Sequence, residues 1–176
     1  MTDTPFGASE SGESFRVLAV KFERILPGPA EKVWKHLTDT ALLPAWFGAK
    51  SSIEARAGGK VNLMDGHIRG IVTQANAPKR LCYTWNVFNP GDPADAVSDY
   101  PESYLSFTLE PRGGDVLLTL QHLPILDRFE KQNQMGWHTF LDILCAAVRG
   151  EKVEERPIYM QKNAALYGVD LANPQR

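Results

Sequence analysis

His122 closes the run "VLLTLQH", residues 116–122. Histidine is the side chain best suited to carry a proton near neutral pH. If the run alternates as a strand, His122 shares an inward face with Leu118 and Leu120. Pro124 follows two residues later, and a bulge there would turn the imidazole outward. Tyr83 and Trp85 alternate in "KRLCYTWNVF" and would present a phenol and an indole N–H from one apolar face. His122 and Tyr83 are therefore the two candidate proton carriers. The plainer reading makes His122 a hydrogen-bonded histidine at a strand end and Tyr83 part of the core.

Other chemistries find less support. His36, His67, His122 and His138 share no short ligand spacing, so no metal site is expected. There is no phosphate-cradling glycine loop and no nucleophile elbow, and no cofactor is expected. Asp65 and His67 bracket a turn, which accounts for the aspartate. His138 and Asp142 lie one helical turn apart, off the apolar stripe of their helix, and read as a solvated pair. Asp92, Asp95, Asp99 and Glu102 sit in the polar segment "NPGDPADAVSDYPESY". That segment is either a solvated loop or a lid.

The elements that must position these residues follow from periodicity. "FRVLAVKFERIL", residues 15–26, alternates as a strand, and the segment that follows has helical spacing at Ala30, Val33, Trp34 and Leu37. "LLPAWFG", residues 42–48, can form only a turn or two of helix, starting near Pro44 and stopping at Gly48. Six further strands follow, with a two-residue hairpin turn expected at Asp65-Gly66. A long helix closes the pattern, with Trp137, Leu141, Leu144 and Val148 in one stripe and "DRFE", residues 127–130, as an expected capping box. Residues 152–176 hold one more short helical pattern, and residues 1–14 read as a disordered tail.

Composition narrows the function. A net charge of −2 gives no electrostatic case for nucleic acid. No apolar run is long enough to span a membrane, so no membrane insertion is expected. Cys82 and Cys145 form no CxxC pair and read as reduced thiols, which places the chain in the cytoplasm.

In order and spacing, "RILPGPAEKVWKHLTD", "LLPAWFG", "ARAGGKV", "RGIVTQANAPKRLCYTW", "SYLSFTLEPRGGDVLLTLQH" and "GWHTFLDILCAAVRGE" resemble the SRPBCC, START-like superfamily. Within it the chain is most similar to the family named for the activator of the heat-shock-protein-90 ATPase. The resemblance implies an α+β helix-grip fold over residues 15–151. Its order would be β-α-α-β6-α, with a curved seven-stranded antiparallel sheet wrapped on the long helix. It also implies a cavity between sheet and helix for a small hydrophobic molecule, lipid or polyketide-like. Trp46 and Phe47 would wall that cavity from the short helices, or else simply fill the core. Tyr83, Trp85, Leu105, Phe107, Leu118, Leu120 and His122 would line it from the sheet, and Trp137, Leu141 and Leu144 from the helix. An enzyme of cyclase or dehydratase type using His122 or Tyr83 is the alternative, and a chaperone-associated protein the third reading. A homodimer or a chaperone partner is compatible with either.

Overall fold

The computed structural model describes residues 11–173. The alternating segment forms β1 (Leu18–Pro27), with Val20 and Leu26 buried and Lys21 and Glu23 outside. Two short helices follow, α1 (Ala30–Thr38) and α2 (Pro44–Phe47). Pro44 starts α2, where its missing N–H costs nothing, and Gly48 ends it at a φ of 108°. The chain then runs through β2 (Ser52–Ile53), β3 (Lys60–Leu63), β4 (Ile68–Asn76), β5 (Arg80–Val87), β6 (Ser103–Arg112) and β7 (Asp115–Ile125). A 3-10 turn, Asp127–Phe129, leads into the long helix α3 (Glu130–Arg149), and α4 (Arg156–Tyr167) comes last.

All seven strands belong to one curved antiparallel sheet in the order β1-β7-β6-β5-β4-β3-β2. This is the helix-grip arrangement of an α+β protein. Its concave face buries Leu105, Phe107, Leu118 and Leu120 against Trp137, Leu141, Leu144 and Val148 of α3. Each such side chain contributes about 1.5–3 kcal/mol relative to leaving it in water. Trp46 and Phe47 stack at 3.8 Å between ring centroids, and both are fully buried. The Trp46 indole N–H donates to the His36 carbonyl at 2.8 Å, which ties α2 to the end of α1.

Several local expectations change. β1 starts at Leu18 rather than Phe15, because Leu18 pairs with Ile125 and β7 ends there. Phe15 is left 86% exposed. The β3–β4 connection is a longer turn over Met64–His67, and Met64, Asp65 and Gly66 all have positive φ. An ion pair of 2.9 Å from Lys50 to Asp65 braces it from outside. The expected capping box does not form. Asp127 sits in the 3-10 turn, Phe129 is the N-cap without a side-chain bond, and Glu130 is already helical. Finally, His138 and Asp142 are not a solvated pair: α4 packs over them and leaves their side chains 20% and 18% exposed. Asn163 of α4 donates from Nδ2 to Thr139 Oγ1 and to Asp142 Oδ2, each at 3.2 Å.

Gly70 in β4 marks the tightest approach within the sheet. A Cβ built there would meet the Thr84 carbonyl oxygen of β5 at 1.9 Å, a backbone atom that cannot step aside. Gly70→Ala is expected to destabilise the protein by about 3 kcal/mol, the upper end for overpacking. Urea unfolding measures the loss, and a cost below 1 kcal/mol would contradict the β4–β5 spacing.

Candidate functional site

β7 does bulge, but beyond the residue that matters. Val20 pairs with His122 and Leu18 with Ile125, so the irregularity falls at Leu123–Pro124. His122 therefore keeps the inward parity of Leu118 and Leu120, and it is 2% exposed. Across the ladder it pairs with Leu105 of β6. Ser103, two residues along that strand, lies diagonal to it on the same face. Trp137 descends onto both from the second turn of α3.

The hydrogen bonds fix the state of the imidazole. The Trp137 indole can only donate, and it donates from Nε1 to His122 Nδ1 at 2.9 Å. Nδ1 therefore carries the lone pair and Nε2 the proton. Nε2–H donates to Ser103 Oγ at 2.8 Å, and the Ser103 hydroxyl in turn donates a hydrogen bond to the Trp85 carbonyl at 3.2 Å. Burial lowers the His122 pKa to about 4, because the charged ring would lose its water. The indole N–H adds a local obstacle, since protonating Nδ1 requires that bond to break.

Next to this chain lies a cavity of about 460 Å³. Its size falls within the range of small-molecule sites. Trp85, His122 and Ser103 form its sheet side, and Gly136, Trp137 and Phe140 its helix side. Tyr100 from the β5–β6 loop and Phe129 before α3 also line it, edge to face with centroids 5.7 Å apart. That loop is anchored: Arg69 donates to the carbonyls of Asp92 and Pro93 at 2.6 Å, and Ser98 Oγ donates to the Val87 carbonyl at 2.8 Å. His67 also lines the cavity. Its Nδ1 donates to the Phe88 carbonyl at 2.7 Å, which leaves Nε2 as an acceptor in the neutral ring. Seven of the fifteen lining residues carry rings, and among the described residues no Asp, Glu, Lys or Arg lines it.

The floor is built from behind. Phe47 touches Trp85, Trp137 and Phe140 at centroid distances of 6.4, 6.3 and 5.2 Å. Arg156 of α4 lies over the Phe140 ring at 4.8 Å and donates to the Trp46 carbonyl at 2.9 Å. α4 thus holds Phe140 and α2 in place from outside.

The family model for activator of Hsp90 ATPase homolog 1-like proteins matches residues 27–149. The chain belongs to this family. Among solved structures it is similar to CalU16 from Micromonospora echinospora, with a TM-score of 0.66 and 23% identity over 85% of this chain and 86% of that one. It is also similar to a protein from Mesorhizobium loti, with a TM-score of 0.64 and 26% identity over 77% of this chain and 99% of that one. An HSP90 activator from Plasmodium falciparum shares the fold at a TM-score of 0.60, with 19% identity over 76% and 97%. No curated protein matches the chain.

Of the residues expected from the sequence to line the cavity, Trp85, His122 and Trp137 do. The other nine do not. Trp46, Phe47, Leu105, Phe107, Leu118 and Leu120 are closed into the core, as are Leu141 and Leu144. The two aromatic residues of α2 fill the middle of the grip and confine the open space to one end. Tyr83 is fully buried away from the cavity; its hydroxyl has no partner among the described residues, and burial raises its pKa well above the ordinary value. Tyr100, Ser103, Phe129 and Phe140 were missed, since three lie in a loop, a strand end or a turn. Gly136 carried the one available signal, because a glycine inside a long helix costs about 1 kcal/mol and asks for a local reason.

Two outcomes follow. The folded His122 pKa of about 4 lies below the unfolded value of about 6.5. As pH falls, the unfolded chain takes up the proton first. The stability from neutral His122 is complete above about pH 6.5 and is lost on descending towards pH 4, by on the order of 3 kcal/mol. Urea unfolding of wild type and His122→Gln at pH 7 and 4.5 isolates this slope, which the variant should lack. Tyr83→Phe removes an unpaired buried hydroxyl and should leave stability unchanged or raised by about 1 kcal/mol. A loss above 1 kcal/mol would reveal a hidden partner for that hydroxyl.

Proposed function

We propose that the protein holds a small, uncharged, ring-bearing hydrophobic molecule in the cavity between α3 and the sheet. The observation that carries this reading is the lining: among the described residues, seven rings, no formally charged side chain, and a few polar groups. Flat aromatic walls stack on a planar polycycle and complement a flexible acyl chain less well. A polyketide-like ligand is therefore favoured over a lipid chain. His67 Nε2 and the Tyr100 hydroxyl supply the polar contacts that would orient it.

The same geometry weighs against a cyclase or dehydratase built on His122 or Tyr83. A general base needs a free lone pair within reach of substrate. The His122 lone pair is occupied by the Trp137 N–H, and Tyr83 lies outside the cavity. A chaperone-associated role has only the family's name behind it, since likeness to the Plasmodium activator at 19% identity carries the fold alone.

Gly136 provides the test. A Cβ at this position meets nothing within 4 Å, and the residue lines the cavity. Gly136→Leu should fill the cavity and weaken binding of the neutral dye N-phenyl-1-naphthylamine more than tenfold, read by energy transfer from tryptophan. Gly136→Ala should keep binding while raising helix stability by about 1 kcal/mol. Native mass spectrometry of freshly purified protein should show a retained ligand mass that Gly136→Leu loses. Saturable dye binding indifferent to Gly136→Leu would place the ligand elsewhere, and no saturable binding would overturn the proposal.

A further inference from the structure

The other end of α3 holds a second concavity of about 400 Å³, between β1, the last turns of α3 and α4. Its character is opposite. Arg24, Arg149, Lys152 and Lys162 line it, with Asp142 and Glu151 as the acids. Lys162 has Asp142 at 3.7 Å, and Lys152 has Glu154, outside the lining, at 2.9 Å. Arg24 and Arg149 have no carboxylate partner among the described residues.

The placement of Arg24 is the unusual part. It occupies the inward parity of β1, in line with Val20, Phe22 and Leu26, where every other side chain is apolar. A charge on that face is partly desolvated and is ordinarily repaid by a paired acid. Instead its Nη1 donates to the Glu23 carbonyl at 2.9 Å, and Arg149 Nη2 reaches the Ile25 carbonyl at 3.3 Å. The two guanidinium groups thus hang on alternate carbonyls of the same strand. Each spends one of its five donors there. The helix dipole explains a cation at Arg149, in the last turn of α3, but not Arg24 on a strand.

We infer that this groove binds the phosphate group of a phosphate ester. Two guanidinium groups without a carboxylate partner among the described residues offset the two negative charges of a phosphate monoester dianion, and their planar forks match its oxygens. Lys162 and the Tyr159 ring close the side given by α4. α4 and Lys152 lie beyond residues 27–149, so the groove is completed by a segment outside the family match. The site is independent of the aromatic cavity and stands or falls without it.

The test is an amide NMR titration with phenyl phosphate at low salt, repeated with inorganic phosphate and with sodium chloride at matched ionic strength. Saturable shifts are expected at Arg24, Cys145–Glu151 and Lys162, from both phosphates and not from chloride. A stronger response to phenyl phosphate assigns the ester as ligand, and an equal response assigns the phosphate group alone. The double variant Arg24→Gln, Arg149→Gln should weaken binding at least tenfold. Should it fail to fold, Lys162→Gln, whose ammonium is exposed, should still weaken binding severalfold. Lys79→Gln, an exposed lysine outside the groove lining, should leave it unchanged. Absent saturation, shifts that chloride reproduces, or equal weakening by Lys79→Gln would each overturn the assignment.

Discussion

A buried imidazole must satisfy both of its nitrogens, and here a single indole decides how. The bond from Trp137 Nε1 to His122 Nδ1 selects the tautomer, and the tautomer determines that Ser103 accepts and then donates onward to Trp85. Each partner comes from a different element: α3, β7, β6 and β5. The bond therefore ties the long helix to the sheet and fixes which ring nitrogen carries the proton. Leaving either nitrogen unpaired in this environment would cost about 1–3 kcal/mol. The rings of Trp85 and Trp137 pack beside it, their centroids 5.1 Å apart.

The remaining volume follows from how α2 is inserted. A curved sheet and one helix enclose more space than aliphatic side chains fill. Trp46 and Phe47 occupy the middle, and what is left at the N-terminal end of α3 becomes the cavity. Core and site are thus one packing problem with an incomplete solution. The cost of the void is borne by rings whose faces remain usable by a guest.

Periodicity made much of this legible. It showed the antiparallel meander, the long helix, and the inward faces carrying His122, Trp85 and Trp137. It could not show depth. Leu118 and His122 share a parity, yet one is sealed beneath α3 and the other borders open space. The difference depends on where α2 sits along the grip, which no repeat in the sequence encodes. Tyr100 and Phe129 were invisible because they come from an irregular loop and a 3-10 turn. His138 and Asp142 misled because an exposed helix face in sequence became an interface once α4 lay across it. The capping box failed for a related reason: the chain tightens into a 3-10 turn at Asp127–Phe129, so the N-cap falls on Phe129, whose ring packs on Tyr100 and has no hydrogen-bonding group.

The strand order has a consequence for how the chain comes into being on the ribosome. From β2 to β7, each strand pairs with its neighbour in sequence, so the meander can grow as it emerges. β1 is made first but pairs with β7, with Pro27 opposite Asp115. Its inward residues must wait, uncovered, until nearly the whole sheet has been synthesised. Closing so large a loop is entropically unfavourable and comes late. Lys21 and Glu23 on the outward parity, with Arg24 among the inward residues, give the waiting segment charge during that interval. That charge opposes premature pairing with other nascent chains.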